Sequence, residues 1–183
     1  MALRLYDTRS RRKRIFETLV EGEVGIYVCG ITPYSPSHIG HARQAIAFDI
    51  IVRWLRKSGF LVNYITNFTD IDDKIIRIAN EENIDFLDVA NRNIDDYFEV
   101  MDLLNVNRAD SYPRVTETIP EIIDMIVKLI ENGNAYSSHD GVYFEINTAP
   151  EKYGQLTGQT LEMVREGAGG RVSETGTGKK NHR

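Results

Sequence analysis

The chain has 183 residues, of which 42% are hydrophobic and 27% charged, and this ordinary globular balance excludes wholesale disorder. Cys29 is the single cysteine, so no internal disulfide can form. Together with a charged start that lacks the features of a secretory signal, this predicts a reducing, cytoplasmic location. The net charge of −5 argues against a general electrostatic nucleic-acid binder, although a local RNA-binding patch stays open. No apolar run is long enough to span a membrane, so no membrane partner is expected.

The first segment of the chain is strongly basic. Five of its cations lie within six consecutive positions: Arg9, Arg11, Arg12, Lys13 and Arg14. The pattern favours a solvated turn between two short strands. The alternative is a contact with phosphate groups, because such a run attracts any polyanion.

A strand, a helix and a second strand follow this segment. Residues 24–29 form a short, mostly apolar and β-branched run, which is typical of a buried strand. Two prolines in residues 31–37 predict a loop. Residues 61–68 are rich in Val, Tyr, Ile and Thr and predict a second strand. Strand, helix and strand at this spacing form a βαβ unit, so we expect the two strands to be parallel.

The helix between these strands is predicted from an apolar repeat at every fourth residue from Ala42 to Trp54. It should begin near His38. Ser37 is a favourable N-cap residue, and Gly59 is a favourable helix stop.

The rest of the chain predicts more helices and a hairpin. Helical patterns cover residues 73–81, 85–104 and 116–132, and two short strands at residues 135–138 and 142–146 flank a turn. We expect two units: residues 1–112, and residues 113–183 with a mobile glycine-rich tail from about residue 166.

Reactive side chains follow both strands of the predicted βαβ unit. In an open α/β sheet, ligands bind beyond the carboxyl ends of the strands. Neighbouring strands lie about 4.8 Å apart, so the thiol of Cys29 and the hydroxyl of Thr69 should converge there with nearby carboxylates. Gly30 would let a ligand approach the backbone closely.

The predicted helix adds His38, Gly40 and His41 to the same edge. A helix N-terminus offers free N–H donors and the positive end of the helix dipole, and the two imidazoles add further donors. Gly40 leaves room for a base or ribose. This combination predicts a polyphosphate site.

The sequence resembles the cysteinyl-tRNA synthetases, a class I family, over nearly the whole chain. The motifs that carry the resemblance stand in the family's order and spacing: Tyr27-Val28-Cys29-Gly30-Ile31-Thr32, Tyr34, His38-Ile39-Gly40-His41-Ala42-Arg43, and Asn67-Phe68-Thr69-Asp70-Ile71-Asp72-Asp73-Lys74-Ile75-Ile76. The His-Ile-Gly-His tetrad alone indicates a class I synthetase or a related nucleotidyl transferase. The Cys-Gly pair ahead of it narrows the resemblance to cysteine activation.

The resemblance implies a reaction and an α/β fold. Cysteine and ATP, with magnesium, would give cysteinyl-adenylate, and the cysteinyl group would pass to tRNA-Cys. Residues 1–112 would be the first half of a Rossmann-like nucleotide-binding domain with a parallel sheet, followed by an inserted connective α+β region. The family's second half, with its Lys-Met-Ser-Lys-Ser-like loop, is not found in this sequence. We therefore expect a truncated amino-terminal part that needs the missing half as a partner.

The resemblance also implies roles for individual residues. His38 and His41 would stabilise the phosphates during catalysis, and ATP would bind at these two residues and at Gly40. The substrate would bind at Gly30, Thr32 and Thr69. Cys29 would be one ligand of a zinc ion that binds the substrate thiol. By itself, a lone cysteine is more often a small buried apolar residue.

Two matters stay open at this stage. Asp70, Asp72 and Asp73 either belong to the site or supply capping and first-turn charge to the following helix. The alternatives to a cysteine–tRNA ligase are a cysteine-activating ligase of mycothiol synthesis, which the segment 31–34 resembles, and a non-catalytic remnant that binds nucleotide or RNA.

Overall fold

The computed structural model describes residues 3–158, which fold into two compact units. Thr18–Ile119 forms the first unit, and the described residues before and after it form the second. The assignment of the chain to a catalytic part and a connective part stays a prediction. The elements of the first unit, in chain order, are β3 (Glu23–Ile31), α1 (Ile39–Lys57), β4 (Leu61–Phe68), α2 (Asp73–Glu82) and α3 (Phe86–Leu103). Those of the second unit are β1 (Arg4–Asp7), β2 (Arg12–Ile15), α4 (Ile119–Glu131), β5 (Ala135–Ser138) and β6 (Gly141–Phe144).

The sheet of the first unit confirms the predicted βαβ arrangement. Strands β3 and β4 are parallel, and Val24 pairs with Val62. The register shifts between Val28 and Ile31, where Cys29 and Gly30 lie. A third segment, which was not predicted from the sequence, joins this sheet. Residues 111–114 run parallel to β4 through isolated bridges. Their side chains are too polar to give the apolar pattern by which a strand is predicted from sequence.

The start of α1 differs from the prediction by one residue. His38, not Ser37, is the N-cap: it has extended backbone geometry, and its side chain accepts the N–H of Gly40. Ser37 lies in the preceding loop, where its N–H donates to Asp96 on α3. The predicted stop is confirmed, because the chain leaves the helix at Gly59 with a φ of 91°.

Helix α3 joins the elements of the first unit through its buried face. Ile94 packs with Ile31 and Phe68 at the ends of β3 and β4. Met101 packs against Ala42 and Ala45 of α1. The apolar residues of α3 therefore form a core-facing helix face that holds the end of the sheet and the start of α1 together.

The second unit contains two antiparallel hairpins and α4. Strands β1 and β2 pair with each other, and β5 pairs with β6, which confirms the predicted hairpin. Three of the five clustered cations, Arg12 to Arg14, lie in β2 itself and not in a turn. Helix α4 begins at Ile119 and not at residue 116, because Thr116 is held by Asp70. The predicted mobile tail lies outside the described residues. No helix among those described is long and apolar enough to cross a membrane.

Candidate active site

Asn67 ties the ends of the two parallel strands together. Its Oδ1 accepts the N–H of Gly30 at 2.9 Å, and its Nδ2 donates to Oγ1 of Thr69 at 3.3 Å. The Thr69 N–H donates to the carbonyl of Ile31 at 3.0 Å. Gly30 and Thr69 are thus brought to one edge, as predicted. Sequence reasoning assigned no role to Asn67, although it lies in the second motif.

The absence of a side chain at Gly30 is required by the neighbouring strand. A Cβ atom at Gly30 would lie 1.6 Å from the carbonyl oxygen of Asn67. No side chain fits at that separation. The glycine permits the close approach of the backbones at the register shift, and the approach of a ligand to the Gly30 backbone stays a prediction.

The histidine turn, residues 38–41, has a defined hydrogen-bonding pattern. Nδ1 of His38 accepts the N–H of Gly40 at 3.0 Å, and Nδ1 of His41 accepts the N–H of His38 at 3.4 Å. The two rings stack with their centroids 3.8 Å apart. Each Nδ1 is an acceptor, so the hydrogen-bonding pattern assigns the proton of a neutral ring to Nε2. Neither Nε2 donates to another residue in the described part of the chain.

The environment of His41 favours its neutral form. Burial lowers its pKa, the neighbouring His38 lowers it further, and the carboxylate of Asp96 acts in the opposite direction. A neutral ring keeps Nδ1 free to accept the capping hydrogen bond. The histidine turn therefore presents two Nε2–H donors at the amino end of α1, a helix of 19 residues.

Gly40 is required by the ring of His38. A Cβ atom there would lie 2.8 Å from Cε1 and 2.9 Å from Nδ1 of that ring. The glycine lets the ring fold back over the first turn of the helix. The binding of a base or ribose against this turn stays a prediction.

The other predicted site residues lie near this edge with different degrees of exposure. Cys29 is exposed, and its carbonyl accepts Nε2 of Gln44, one turn along α1 from His41, at 2.7 Å. Thr32 is half-buried in the loop, and its carbonyl accepts the N–H of Tyr34. Gln44 was not singled out from the sequence, and its spacing of three residues from His41 is the signal that could have found it.

A comparison of this chain with models of known protein families identifies its family. Residues 15–183 match the model described as "tRNA synthetases class I (C) catalytic domain". The chain belongs to this family. The fold class and the family expected from the sequence are thereby confirmed.

Curated relatives of this synthetase domain include cysteine–tRNA ligases. The chain is 51% identical over 181 residues to a cysteine–tRNA ligase of Thermococcus onnurineus, which is 99% of this chain and 37% of the relative. It is 50% identical over 169 residues to that of Idiomarina loihiensis, which is 92% of the chain and 37% of the relative. The chain thus spans little more than a third of the length of these relatives.

The fold of the synthetase domain has solved counterparts. A structure of Mycobacterium tuberculosis methionyl-tRNA synthetase in complex with methionyl-adenylate superposes with a TM-score of 0.55. It is 24% identical, and the match covers 61% of this chain and 23% of that one. This likeness shows the α/β fold.

The described residues of the synthetase domain do not complete the implied zinc site by themselves, and Cys29 as one of its ligands stays a prediction. Tetrahedral zinc takes about four ligands. Among residues 3–158, no group of three or more His, Cys, Asp or Glu side chains is placed to hold a metal ion. Cys29 is therefore a single exposed thiol here, and no step of the chemistry below depends on a metal bound to it.

The three aspartates left open by the sequence separate into different roles. Asp70 is fully buried, and its carboxylate accepts the N–H of Thr116 at 3.0 Å and the hydroxyl of the same residue. Asp72 caps α2 by accepting the N–H of Lys74 at 2.9 Å. Asp73 lies exposed in the first turn of that helix. Asp72 and Asp73 thus supply the capping and first-turn charge of one interpretation, whereas Asp70 does neither and instead bonds a residue 46 positions away.

A small cavity lies beneath the candidate site. Its volume is about 10 Å³, and its lining includes Gly30, His41, Gln44, Thr66 and Tyr97. A space of this size holds about one water molecule. The cavity is therefore too small for a nucleotide or an amino acid.

Proposed function

We propose that this chain is part of a cysteine–tRNA ligase and contributes one side of its ATP and cysteine site. One observation carries the proposal: the histidine turn lies beside the ends of β3 and β4, next to Cys29 and Thr69, in a chain about 50% identical to cysteine–tRNA ligases. These ligases join cysteine to tRNA-Cys at the expense of ATP. The family name supports the enzyme class, and the geometry supports the location.

In the proposed first step, the carboxylate of cysteine attacks the α-phosphorus of ATP, and pyrophosphate leaves. Negative charge grows on the phosphate oxygens as the bonds exchange. The Nε2–H groups of His38 and His41, together with the positive end of the α1 dipole, would stabilise this charge. They would neither accept a proton from the reacting atoms nor donate one to them. The role of the pair is therefore electrostatic.

We place the amino acid substrate against the ends of the strands. The hydroxyl of Thr69 can donate a hydrogen bond there, because Asn67 donates to its oxygen and leaves its proton free. Thr32 and the backbone at Gly30 border the same edge and complete the proposed contacts. Magnesium enters with ATP as part of the substrate.

The rest of the catalytic domain is proposed to cover the open side of this unit. Among the described residues, β3 pairs with β4 along one edge and has no strand along the other. Trp54 and Ile50 on α1 are each 61% exposed, and Tyr27 on β3 is 65% exposed. Apolar surface and an unpaired strand edge are unfavourable in water, and the relatives carry nearly two thirds of their length beyond the matched part.

A transfer RNA is the proposed acceptor, and the β1–β2 hairpin is the proposed contact for its backbone. The first 17 residues contain six Lys or Arg and two Asp or Glu, whereas the whole chain has a net charge of −5. Within the described residues, Arg14 of β2 forms an ion pair with Asp7, while Arg12 and Lys13 form none. Such free cations bind phosphate groups by releasing counterions.

The decisive experiment joins this chain to the part of the Thermococcus onnurineus ligase that follows the matched region. We expect cysteine-dependent exchange between pyrophosphate and ATP, followed by transfer to a tRNA-Cys transcript. Serine in place of cysteine and the chain without the added part are the controls. Transfer to a small amine but not to tRNA would favour the mycothiol alternative, and a folded fusion without any exchange would favour a non-catalytic remnant.

A further inference from the structure

The loop that precedes the histidine turn is held by one face of α3. Nδ2 of Asn93 donates to the carbonyl of Pro33 at 3.2 Å, and Oδ2 of Asp96 accepts the N–H of Ser37 at 2.7 Å. The two side chains are three residues apart and so lie on the same helix face. Pro33 is fully buried. Both ends of the loop are thus fixed to a single rigid element.

Asp96 acts at the position that decides where α1 begins. Ser37 directly precedes the N-cap His38, so a bond to its N–H determines the direction from which the chain enters the helix. An ionised acceptor makes this bond shorter and stronger than a neutral one would. Asp96 is half-buried, which protects the interaction from solvent.

The charge of Asp96 also reaches the histidines. The titratable groups around His41 are His38 of the same turn, Asp96 of α3, and Tyr64 and Tyr97, which line the small cavity with it. Burial raises the pKa of both tyrosines, so they stay neutral near pH 7. Asp96 is therefore the anion in this set. It raises the pKa of His41, whereas burial and His38 lower it.

We propose that Asp96 is a positioning residue for the histidine pair: its carboxylate holds the histidine turn in place through Ser37 and supplies the negative charge that acts on His41. The proposal deepens the function proposed above, because it concerns the same phosphate-binding turn. Asp96 itself touches no substrate in this scheme. It acts through the turn.

The test compares two matched aspartates on α3. Asp96→Asn keeps the shape and an acceptor for Ser37 but removes the charge, and Asp96→Ala removes both. Asp95→Asn is the control, since Asp95 is exposed and lines an open groove with Phe98 and Asp102. The pH midpoint of each histidine ring is followed by NMR in the whole chain, together with hydrogen exchange at the N–H of Ser37. Urea unfolding establishes that each variant is folded.

We expect Asp96→Asn to lower the pH midpoint of His41, because the negative charge that stabilises the protonated ring has been removed. Asp96→Ala should in addition lose exchange protection at Ser37, and Asp95→Asn should change neither quantity. An unchanged midpoint in a folded Asp96→Asn variant, or an equal shift in Asp95→Asn, would overturn the proposal. No nucleotide is used, so this result is independent of whether the chain activates cysteine.

Discussion

His38 and His41 stack on each other at a centroid distance of 3.8 Å, and each ring accepts a backbone N–H of the turn that carries it. The capping bonds determine which ring nitrogen carries the proton. The same two side chains therefore start the helix and present its two outward donors. A change at either position should affect both local structure and phosphate binding.

His41→Ala in the fused ligase should slow adenylate formation more than it weakens cysteine binding. The interaction grows as charge develops on the phosphate, so its loss is felt in the transition state. We expect the exchange rate at saturating ATP and cysteine to fall by about 10²–10³-fold, the usual effect of removing one such donor. His139→Ala is the control, because His139 is exposed beside the β5–β6 turn. An unchanged exchange rate would show that His41 has no catalytic role.

Gly30→Ala should destabilise the first unit, while Gly25→Ala on the same strand should not. A Cβ atom at Gly30 meets the carbonyl oxygen of Asn67 at 1.6 Å, and one at Gly25 meets nothing within 4 Å. Overpacking of this kind costs about 1–3 kcal/mol or more. Urea unfolding of the two variants measures the difference. Equal free energies of unfolding would show that the backbones at Gly30 and Asn67 can separate enough to admit a methyl group.

Asp70→Ala should lower the free energy of unfolding without any direct effect on substrate contacts. The substitution leaves the N–H and hydroxyl of Thr116 without their buried acceptor. Each unsatisfied donor costs about 1–3 kcal/mol. Asp73→Ala, an exposed change on the next helix, should cost less than about 1 kcal/mol. Similar losses for the two variants would show that Asp70 is not a buried anchor.

The isolated chain should hold much less than one zinc ion per molecule after dialysis. A single thiolate does not retain the ion against water. Elemental analysis of the chain and of its Cys29→Ser variant is the measurement, and the two should agree within error. Stoichiometric zinc that depends on Cys29 would show that further ligands lie in residues outside the described range.

Replacing Arg12 and Lys13 by Gln in the fused ligase should weaken the binding of a tRNA-Cys transcript. The binding constant should also depend less steeply on the salt concentration. Each lost phosphate contact reduces the slope of log K against log salt by about 0.7–0.9. Lys57→Gln with Lys128→Gln removes the same charge from exposed positions elsewhere and is the control. Equal slopes for the two double variants would exclude the hairpin as the contact.

Local signals were enough to predict the βαβ unit and the histidine turn. Apolar periodicity identified β3, α1 and β4, because each buries one face in a core, and the two motifs placed Cys29, Thr69 and the histidines at one sheet edge. The hairpin of β5 and β6 was also visible, since a short turn between β-forming residues is a local feature.

Only the tertiary structure decided the contacts that join distant parts of the chain. Asn67 bonds Gly30 across 37 positions, Asp70 bonds Thr116 across 46, and Asp96 bonds Ser37 across 59. A polar side chain finds its partner through the packing of the elements that carry it, and no local pattern encodes that partner. For the same reason, the sequence predicted Ser37 as the cap, whereas the structure uses its N–H to hold the loop to α3 and leaves the capping to His38.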